Sequence, residues 1–560
     1  MSTSEATGST PLEDAPATVG DAVRRAARLF GTTEALVDDR QRLDFDGLSI
    51  AVDRASRALL ALGVGRGDTV AIWAPNVAEW PIAALGALSI GAIVVPLNTR
   101  FRPQEAVDTV SRSRARVAVC TEGFLGRGYA SELVAATAAL PHLAHVVAVP
   151  LPDGDTPAPD VPQGATGWDA FLANGDQIDD DTLASARDAV TAEDLSDVIF
   201  TSGTTGRPKG VMTTHLQTLR AFTDWSGVVG LTHGDRYLVV NPFFHTFGYK
   251  AGIIASLLRG ATIVCEPVFD AGRVLERIGA ERISMLPGPP TLYLTILENP
   301  RRHDVDLSSL RLAVTGAASV PEEMVRRMHA DLGFDTVVTG YGLTEATGVV
   351  AMCRAGDDPH TIATTSGRAI PGVDIRIIDE DGTEVPRGEA GELVCRGYNV
   401  MIGYLDDPEA TAETVDDDGW LHTGDVAVMD EAGYVRITDR LKDMFIVGGF
   451  NAYPAEIENM LSEHPSVAQV AVVGIPDDRM GEVGHAWVVP RAGITDDAAA
   501  ISAELSAWAR DRMANYKVPR AFHITDTLPT NASGKVLKYE LRQQAADGSG
   551  PVPPNTPAGT

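Results

Sequence analysis

Short apolar runs rich in β-branched residues alternate along this chain with helical stretches, and this alternation restricts its fold more than any other feature. A stretch such as FDAGRVLERIGAER (269–282) has the spacing of a helix with one apolar face. The alternation predicts α/β architecture with largely parallel sheets. The apolar runs include TVAIWA (69–74), ARVAVC (115–120), HVVAVP (145–150), ATIVCEP (261–267) and RLAVTG (311–316).

The pattern changes after about residue 365. Segment 372–397 alternates strand-like runs around a D-G turn, which predicts an antiparallel, hairpin-rich region. A second compact unit begins near 438–444 and contains a predicted helix at 454–465. The chain has 560 residues, too many for one ordinary core, so we expect at least two domains. Residues 164–184 are interpreted as a surface insertion.

The formal net charge is −30, from 76 acidic and 46 basic residues. Such a surface repels nucleic acid and anionic lipid, so we expect neither as a partner. If the ligand is itself an anion, its site must be a local exception built from cations and backbone N–H groups.

The cysteine spacing, the N-terminal residues and the longest uncharged run together predict a cytoplasmic protein. The four cysteines lie far apart without a CxxC pair, which argues against structural zinc and disulfides and fits a reducing environment. The N-terminal residues lack the basic and apolar regions of a signal peptide. The uncharged run WPIAALGALSIGAIVVPL (80–97) is interpreted as a buried helix followed by a buried strand, and not as a membrane span.

The segment TSGTTGRPKG (201–210) follows a short apolar run and offers hydroxyls, flexible backbone and two cations. Its glycines allow consecutive N–H groups to converge on one anion, and Lys209 adds a mobile positive charge. The P-loop pattern fails here, because Lys209 stands between Pro208 and Gly210. We predict a polyanion site formed by Thr201, Ser202, Gly203, Thr204, Thr205, Gly206 and Lys209.

The sequence resembles the adenylate-forming enzymes, which include acyl-CoA synthetases, peptide-synthetase adenylation domains and luciferases. The resemblance covers about residues 18 to 545 and depends on several motifs in the family's order. Together these motifs are highly specific. They are TSGTTGRPKG (201–210), FFHTFG (243–248), GYGLTEA (340–346), GWLHTGD (419–425), ITDRLKDMFIVGGFNAYPAEIE (437–458) and PTNASGKVLK (529–538).

The resemblance implies an α/β protein with a large N-terminal domain and a small, mobile α+β C-terminal domain. The large domain, at residues 18–439, contains two α/β subdomains and a β-rich subdomain, and the small one spans 440–546. Residues 1–17 and 547–560 are expected to be disordered tails. The family uses ATP, Mg²⁺ and coenzyme A with a small-molecule carboxylic acid. We expect a monomer or a homodimer.

Attack of a carboxylate on the α-phosphate of ATP brings two anions together, so catalysis needs positive charge and alignment. Glu345 is a carboxylate that suits Mg²⁺, Thr344 beside it can donate to the α-phosphate, and Tyr341 offers an aromatic face to adenine. By resemblance these are their family roles, with Gly340 and Gly342 in the same motif. Segments 284–293 and 314–321, the latter including Gly316, Ala317 and Ala318, match parts of the family that line the acyl and adenine pockets.

Further residues come from the end of the predicted large domain and from the predicted small domain. Asp425 can accept hydrogen bonds from both ribose hydroxyls, and the family counterpart of Arg440 contacts the same ribose. The resemblance marks Lys535 as the adenylation lysine, which would bridge the incoming carboxylate and the α-phosphate. It marks Lys442 as the hinge about which this domain rotates before thioester formation.

The acyl and pantetheine sites are predicted with fewer residues. His245 resembles the aromatic or histidine gate over the acyl site of the family, and we expect Trp225, Phe247, Tyr249 and Lys250 nearby. Gly448 and Gly449 leave room for the slender pantetheine arm of coenzyme A.

The resulting hypothesis is an acid–thiol ligase: carboxylate and ATP give an acyl-adenylate and pyrophosphate, and coenzyme A then gives acyl-CoA and AMP. Its motifs resemble actinobacterial ligases that activate the propanoate side chain of a methyl-hexahydroindanedione acid (HIP) from steroid degradation. A medium- or long-chain fatty acid is the alternative substrate. A free-standing enzyme that loads a carrier protein, or an oxidase of the luciferase type, is the alternative class.

Overall fold

The computed structural model describes residues 14–152, 157–201, 208–316, 320–440, 443–447, 450–477, 480–491, 493–494, 497–513, 515–530 and 536–546, and describes only the backbone of residues 439, 440, 446, 450 and 451. The chain divides into two compact units. The first comprises Met1–Ile375 and Cys395–Leu421, and the second Arg376–Val394 and His422–Thr560. The predicted tails lie almost wholly outside the described residues, and the predicted domain boundary at residues 439 and 440 stays a prediction.

The largest sheet of the first unit has nine strands, and its central strands are parallel. The apolar runs predicted at 69–74, 115–120 and 145–150 all belong to it. In spatial order its strands are Gly403–Tyr404, Lys209–Thr214, Leu195–Thr201, Ile93–Pro96, Thr69–Trp73, Val117–Phe124, His145–Pro150 and Thr166–Gly167, with Arg127–Gly128 paired beside Val117–Phe124.

Two four-stranded sheets form a second α/β layer in the same unit. Bridges from Met285 to Tyr237 and to Leu312 connect them, so parallel strands run through both. One contains Arg236–Val239, Thr262–Cys265, Glu34–Val37 and Arg42–Asp44, and the other contains Leu312–Gly316, Thr336–Tyr341, Ala351–Met352 and Arg368–Ala369.

Helices cover the sheets of the first unit and connect their parallel strands, as the alternation predicts. Each of the longer ones buries an apolar face. The α-helices are Val19–Phe30, Phe45–Ala61, Glu79–Ser89, Pro103–Arg112, Tyr129–Ala136, Trp168–Asn174, Asp180–Asp188, His215–Val229, Ala255–Arg259, Ala271–Glu281, Pro290–Glu298, Glu322–Leu332, Pro359–Thr364 and Pro408–Thr414.

The uncharged run at 80–97 forms helix Glu79–Ser89 and strand Ile93–Pro96, as predicted. Every residue of this helix is buried, which explains why it has no polar face. Gly86 allows close packing, because a Cβ atom there would lie 2.8 Å from the Cβ of Ala55 on the neighbouring helix. Within the described part of the chain, we find no helix with both the length and the apolarity needed to cross a bilayer.

The second unit contains most of a four-stranded antiparallel sheet and a five-stranded sheet with three helices. The D-G turn predicted in segment 372–397 is present, where the N–H of Gly382 donates to the carbonyl of Asp379. The four strands are Val373–Ile378, Ala390–Gly397, Leu421–Met429 and Val435–Arg440. The five are Phe450–Ala452, Phe445–Val447, Gly481–Pro490, Val467–Asp477 and Ala521–Ile524, and the helices are Pro454–Ser462, Ala498–Arg512 and Lys538–Ala546.

Candidate active site

An antiparallel hairpin carries the predicted polyanion loop. Strands Leu195–Thr201 and Lys209–Thr214 pair so that Thr201 lies opposite Lys209. Arg112 secures this end of the hairpin, because it donates to the carbonyl of Pro208 at 2.6 Å and its guanidinium lies 5.0 Å from the ring of Phe200. The loop itself, with Ser202, Gly203, Thr204, Thr205 and Gly206, lies outside the described residues.

A cavity of about 490 Å³ opens beside the same end of the hairpin. Lys209 is half-buried in its wall, so this ammonium can be approached from a concave surface. Arg114 is already paired there with Asp406 at 2.7 Å. The lining residues are Ser111, Arg112, Arg114, Pro208, Lys209, Leu405, Asp406 and Asp407.

The carboxyl ends of two parallel strands bring Gly316 and Gly340 side by side. A Cβ atom at Gly316 would lie 2.9 Å from the carbonyl oxygen of Gly340, and its φ of +150° is one that other residues rarely adopt. Ligands of α/β proteins commonly bind at the carboxyl ends of parallel strands. Their contact with a nucleotide stays a prediction, and Ala317 and Ala318 lie outside the described residues.

The motif GYGLTEA forms a tight turn directly after strand Thr336–Tyr341. The N–H of Gly348 donates to the carbonyl of Leu343 at 2.9 Å, and the N–H of Val350 donates to Tyr341 at 2.9 Å. Gly342 is required here, since a Cβ atom would overlap the carbonyl oxygen of Gly348. This turn holds Thr344 and Glu345 in a short 3₁₀ helix, where both side chains are half-buried.

Tyr404 connects two of the predicted site motifs, and sequence reasoning missed it. Its phenol donates to Oε1 of Glu345 at 2.9 Å, and the ammonium of Lys209 lies 4.8 Å from the centre of its ring. Burial and the nearby Glu345 carboxylate raise the pKa of Tyr404 well above its usual range, so the phenol keeps its proton. Tyr404 follows Gly403 outside the motifs named above, and no local pattern connects it with Glu345, which lies 59 residues away in the sequence.

Mg²⁺ is the metal that the predicted chemistry requires, and Glu345 fits it. Oxygen ligands suit this ion, which commonly binds one or two carboxylates together with substrate phosphates. One of the Glu345 oxygens, Oε1, accepts the phenol proton of Tyr404 at 2.9 Å. The described residues contain no group of three or more metal-binding side chains.

His245 lies beside an eight-residue π-helix, Phe247–Ile254. Its ring is reachable by solvent, yet the surrounding protein lowers its pKa because it disfavours the charged form. The ring of Trp225 meets that of Phe247 edge-on at 6.4 Å. The N–H of Phe247 donates to Nδ1 of His245 at 3.2 Å, so the predicted gate residue and this aromatic pair are neighbours.

In the second unit, Asp425 and Arg440 are cross-strand neighbours on adjacent strands. Asp425 is 6% exposed, and the N–H of the preceding Gly424 donates to Oε1 of Glu392 at 3.0 Å. The backbones of Asp425 and Arg440 lie at the same level of the sheet, and their contact with one ribose stays a prediction. The side chain of Arg440 lies outside the described residues, as do Lys442, Gly448, Gly449 and Lys535.

Comparison with known families gives two matches to this chain. The model of the AMP-binding enzymes matches residues 23–405, and that of the AMP-binding enzyme C-terminal domain matches residues 456–535.

Curated relatives match almost the full length. A 3-[(3aS,4S,7aS)-7a-methyl-1,5-dioxo-octahydro-1H-inden-4-yl]propanoyl:CoA ligase of Rhodococcus jostii is 48% identical over 536 residues, which are 95% of this chain and 100% of the relative. An enzyme of the same name from Mycobacterium tuberculosis is 48% identical over 94% of this chain and 98% of its own. A feruloyl-CoA synthase of Amycolatopsis is 39% identical over 93% and 97%, respectively.

Solved structures share the fold. The anthranilate CoA ligase AuaEII in complex with anthranoyl-AMP superposes with a TM-score of 0.83 at 27% identity, over 96% of this chain and 99% of that chain. ATP-bound MatB from Rhodopseudomonas palustris gives a TM-score of 0.79 at 27% identity, over 95% and 99%. The predicted combination of a large α/β domain and a small C-terminal domain is confirmed.

Proposed function

Because the chain belongs to the AMP-binding enzyme family, and within it to the acyl-CoA ligases that work through an acyl-adenylate, we propose that its substrate is the propanoate of HIP, the bicyclic diketone acid named in its relatives. The observation that carries this proposal is the 48% identity to the Rhodococcus ligase across 95% of this chain. Relatives named for other acids are less similar: 39% for the feruloyl-CoA synthase and 32% for a medium-chain ligase of Bos taurus.

The first half-reaction joins the acid to AMP. A carboxylate oxygen attacks the α-phosphorus of ATP, and pyrophosphate leaves with the electrons of the broken P–O bond. Lys209 and the loop before it would hold the phosphates of ATP, and Thr344 would donate to the α-phosphate. Mg²⁺ bound through Glu345 would neutralise phosphate charge. The ammonium of Lys535 would bridge the two reacting anions and so lower the barrier to their approach.

The second half-reaction transfers the acyl group to sulfur. The thiol of coenzyme A loses its proton and attacks the acyl carbonyl carbon, and AMP leaves as the C–O bond breaks. In this proposal Tyr341 packs against adenine, while Asp425 and Arg440 bind ribose. Gly448 and Gly449 admit the pantetheine arm, and His245 borders the acyl group. The hinge at Lys442 would permit the small domain to change its role between the half-reactions.

A substrate panel tests the proposal. The purified protein receives ATP, Mg²⁺ and coenzyme A with HIP, ferulate, or saturated fatty acids of six to sixteen carbons, and AMP release is measured. We expect the highest kcat/KM for HIP. A higher value for a fatty acid would overturn the substrate. Adenylation of an acid without any transfer to free coenzyme A would instead favour the carrier-loading alternative.

A further inference from the structure

The segment from Met401 to Leu405 is held against both predicted ATP-site motifs by its backbone. The N–H of Leu405 donates to the carbonyl of Gly210 at 2.7 Å, and Tyr404 pairs in register with Val211 on the hairpin strand. The N–H of Met401 donates to the carbonyl of Glu345 at 2.8 Å. The segment therefore bridges the polyanion hairpin and the turn that carries Glu345.

The side chain of Tyr404 repeats this bridge. Its phenol donates to Oε1 of Glu345, and its ring lies under the ammonium of Lys209. The residue is only 7% exposed and packs in a small apolar cluster with Val211, Met401 and Ala410, so its ring has little freedom to move. This rigid side chain therefore contacts Oε1 of Glu345 in one motif and the ammonium of Lys209 in the other.

The hydrogen bond has a direct consequence for the carboxylate. With Oε1 occupied by the phenol proton, rotation of the Glu345 carboxylate is restricted and Oε2 keeps a defined direction. Groups that orient a metal ligand in this way control metal affinity although they never touch the ion.

We propose that Tyr404 is a positioning residue for the ATP–metal complex, acting through the carboxylate of Glu345 and, by its ring, through the ammonium of Lys209. The inference deepens the proposed function, because it assumes that these two motifs bind ATP and a divalent cation. It does not depend on which acid is the substrate.

The experiment measures metal binding without turnover. The full-length protein is saturated with α,β-methylene-ATP, in which the scissile P–O bond is replaced, and Mn²⁺ is titrated while free Mn²⁺ is followed by electron paramagnetic resonance. Mn²⁺ serves as the probe because it prefers the same oxygen ligands as Mg²⁺. We expect Tyr404→Phe to weaken Mn²⁺ binding about tenfold, as loss of an orienting group does at other metal sites.

Tyr398 provides a matched control in the same unit. Its phenol donates to Asp224 at 2.6 Å and Arg220 lies 3.9 Å from its ring, so it repeats the arrangement of Tyr404 around a different carboxylate. Tyr398→Phe should leave Mn²⁺ affinity unchanged. Equal weakening by both variants would mean a general loss of rigidity and would overturn the proposal, as would wild-type affinity in Tyr404→Phe.

A double variant tests whether the effect passes through Glu345. In a Glu345→Gln background, replacing Tyr404 by Phe should change Mn²⁺ affinity no further, since the oriented carboxylate is already gone. An additional loss of Mn²⁺ affinity of similar size would show that Tyr404 does not act through the Glu345 carboxylate.

The ring is tested separately, with EDTA present and no metal. Tyr404→Leu should bind the ATP analogue several-fold more weakly than Tyr404→Phe, which keeps the surface under Lys209. Equal affinities would remove the ring's role. None of these titrations contains a carboxylic acid substrate, so their outcome does not depend on whether HIP is that substrate.

Discussion

The ammonium of Lys250 lies 3.0 Å from a carboxylate oxygen of Asp197, and both side chains are almost completely buried, with 1% and 0% exposed. Lys250 also donates to the hydroxyl of Thr213 at 2.8 Å, and Ser196 donates to Asp197 at 2.7 Å. The pair joins the π-helix beside His245 to both strands of the polyanion hairpin. If either charge were removed, the other would stay buried without a partner of opposite charge.

Removal of one partner should therefore be severe. We predict that Lys250→Met lowers the free energy of unfolding by about 3–5 kcal/mol, because the Asp197 carboxylate is left buried without a cation. Urea denaturation followed by tryptophan fluorescence measures the loss. Removal of both charges in Lys250→Met with Asp197→Leu should cost less than the single change.

An exposed pair is the control for this prediction. Arg301 and Glu276 are 53% and 59% exposed, and Arg301→Gln should leave the urea midpoint close to that of the wild type. A Lys250→Met protein as stable as the Arg301 variant would contradict the role given to the buried pair.

A second prediction concerns the turn that carries Glu345. Gly342→Ala should raise the KM for ATP by about tenfold or more, because the added methyl group overlaps the backbone of Gly348 and must displace Thr344 and Glu345. Steady-state kinetics at saturating acid and coenzyme A would detect this. Gly65→Ala is the matched control, since nothing lies within 4 Å of a Cβ atom there, and a similar loss in both variants would contradict the explanation.

The α/β framework could be predicted because local sequence patterns determine its strands and helices. The run at 69–74 becomes strand Thr69–Trp73, and the uncharged run at 80–97 becomes a buried helix and strand, since short apolar runs bounded by turn residues leave few other structures. Segment 164–184 shows the limit of such patterns. It was expected to be a surface insertion, but Phe171 is buried and Gly175 packs closely against helix Phe45–Ala61.

Contacts between distant residues could not be predicted in this way. Asp197 precedes the apolar run Val198–Phe200 in its strand, and nothing near it in the sequence indicates that Lys250 neutralises it. Lys250 was expected near the acyl pocket, and only the fold reveals its buried partner. The link between Tyr404 and Glu345 was missed for the same reason, whereas Thr344 and Glu345 themselves were recognised because their motif is local.

A third prediction follows from His215, which is fully buried and accepts a hydrogen bond from the N–H of Val19 at 3.2 Å. Burial lowers its pKa from the ordinary 6.5 to about 4. Between these values the unfolded chain binds a proton that the folded protein excludes, so stability falls as the pH falls from about 6.5 to about 4. The pH-dependent loss from this residue is about 3 kcal/mol.

Replacement of His215 by glutamine removes the titrating group while offering an oxygen to the same N–H. The His215→Gln protein should therefore lose less stability than the wild type between pH 6.5 and 4.5, as measured by urea denaturation at several pH values. His142→Gln is the control, because His142 is exposed. If the free energy of unfolding of His215→Gln and of the wild type fell in parallel with pH, a group other than His215 would have to exclude the proton.

The last prediction separates the two half-reactions. Lys535→Ala should abolish formation of the acyl-adenylate, measured by pyrophosphate exchange, because no other proposed group bridges the two reacting anions. The same variant should convert supplied acyl-adenylate to acyl-CoA at nearly the wild-type rate, since attack by a thiol on the activated carbonyl needs no such bridge. Lys538→Ala is the control: it removes a neighbouring lysine that pairs with Glu458 at 2.8 Å, and both half-reactions should persist. Equal loss of both half-reactions in Lys535→Ala would mean that the lysine supports the whole site, and that the chemistry is not divided between two arrangements of the small domain.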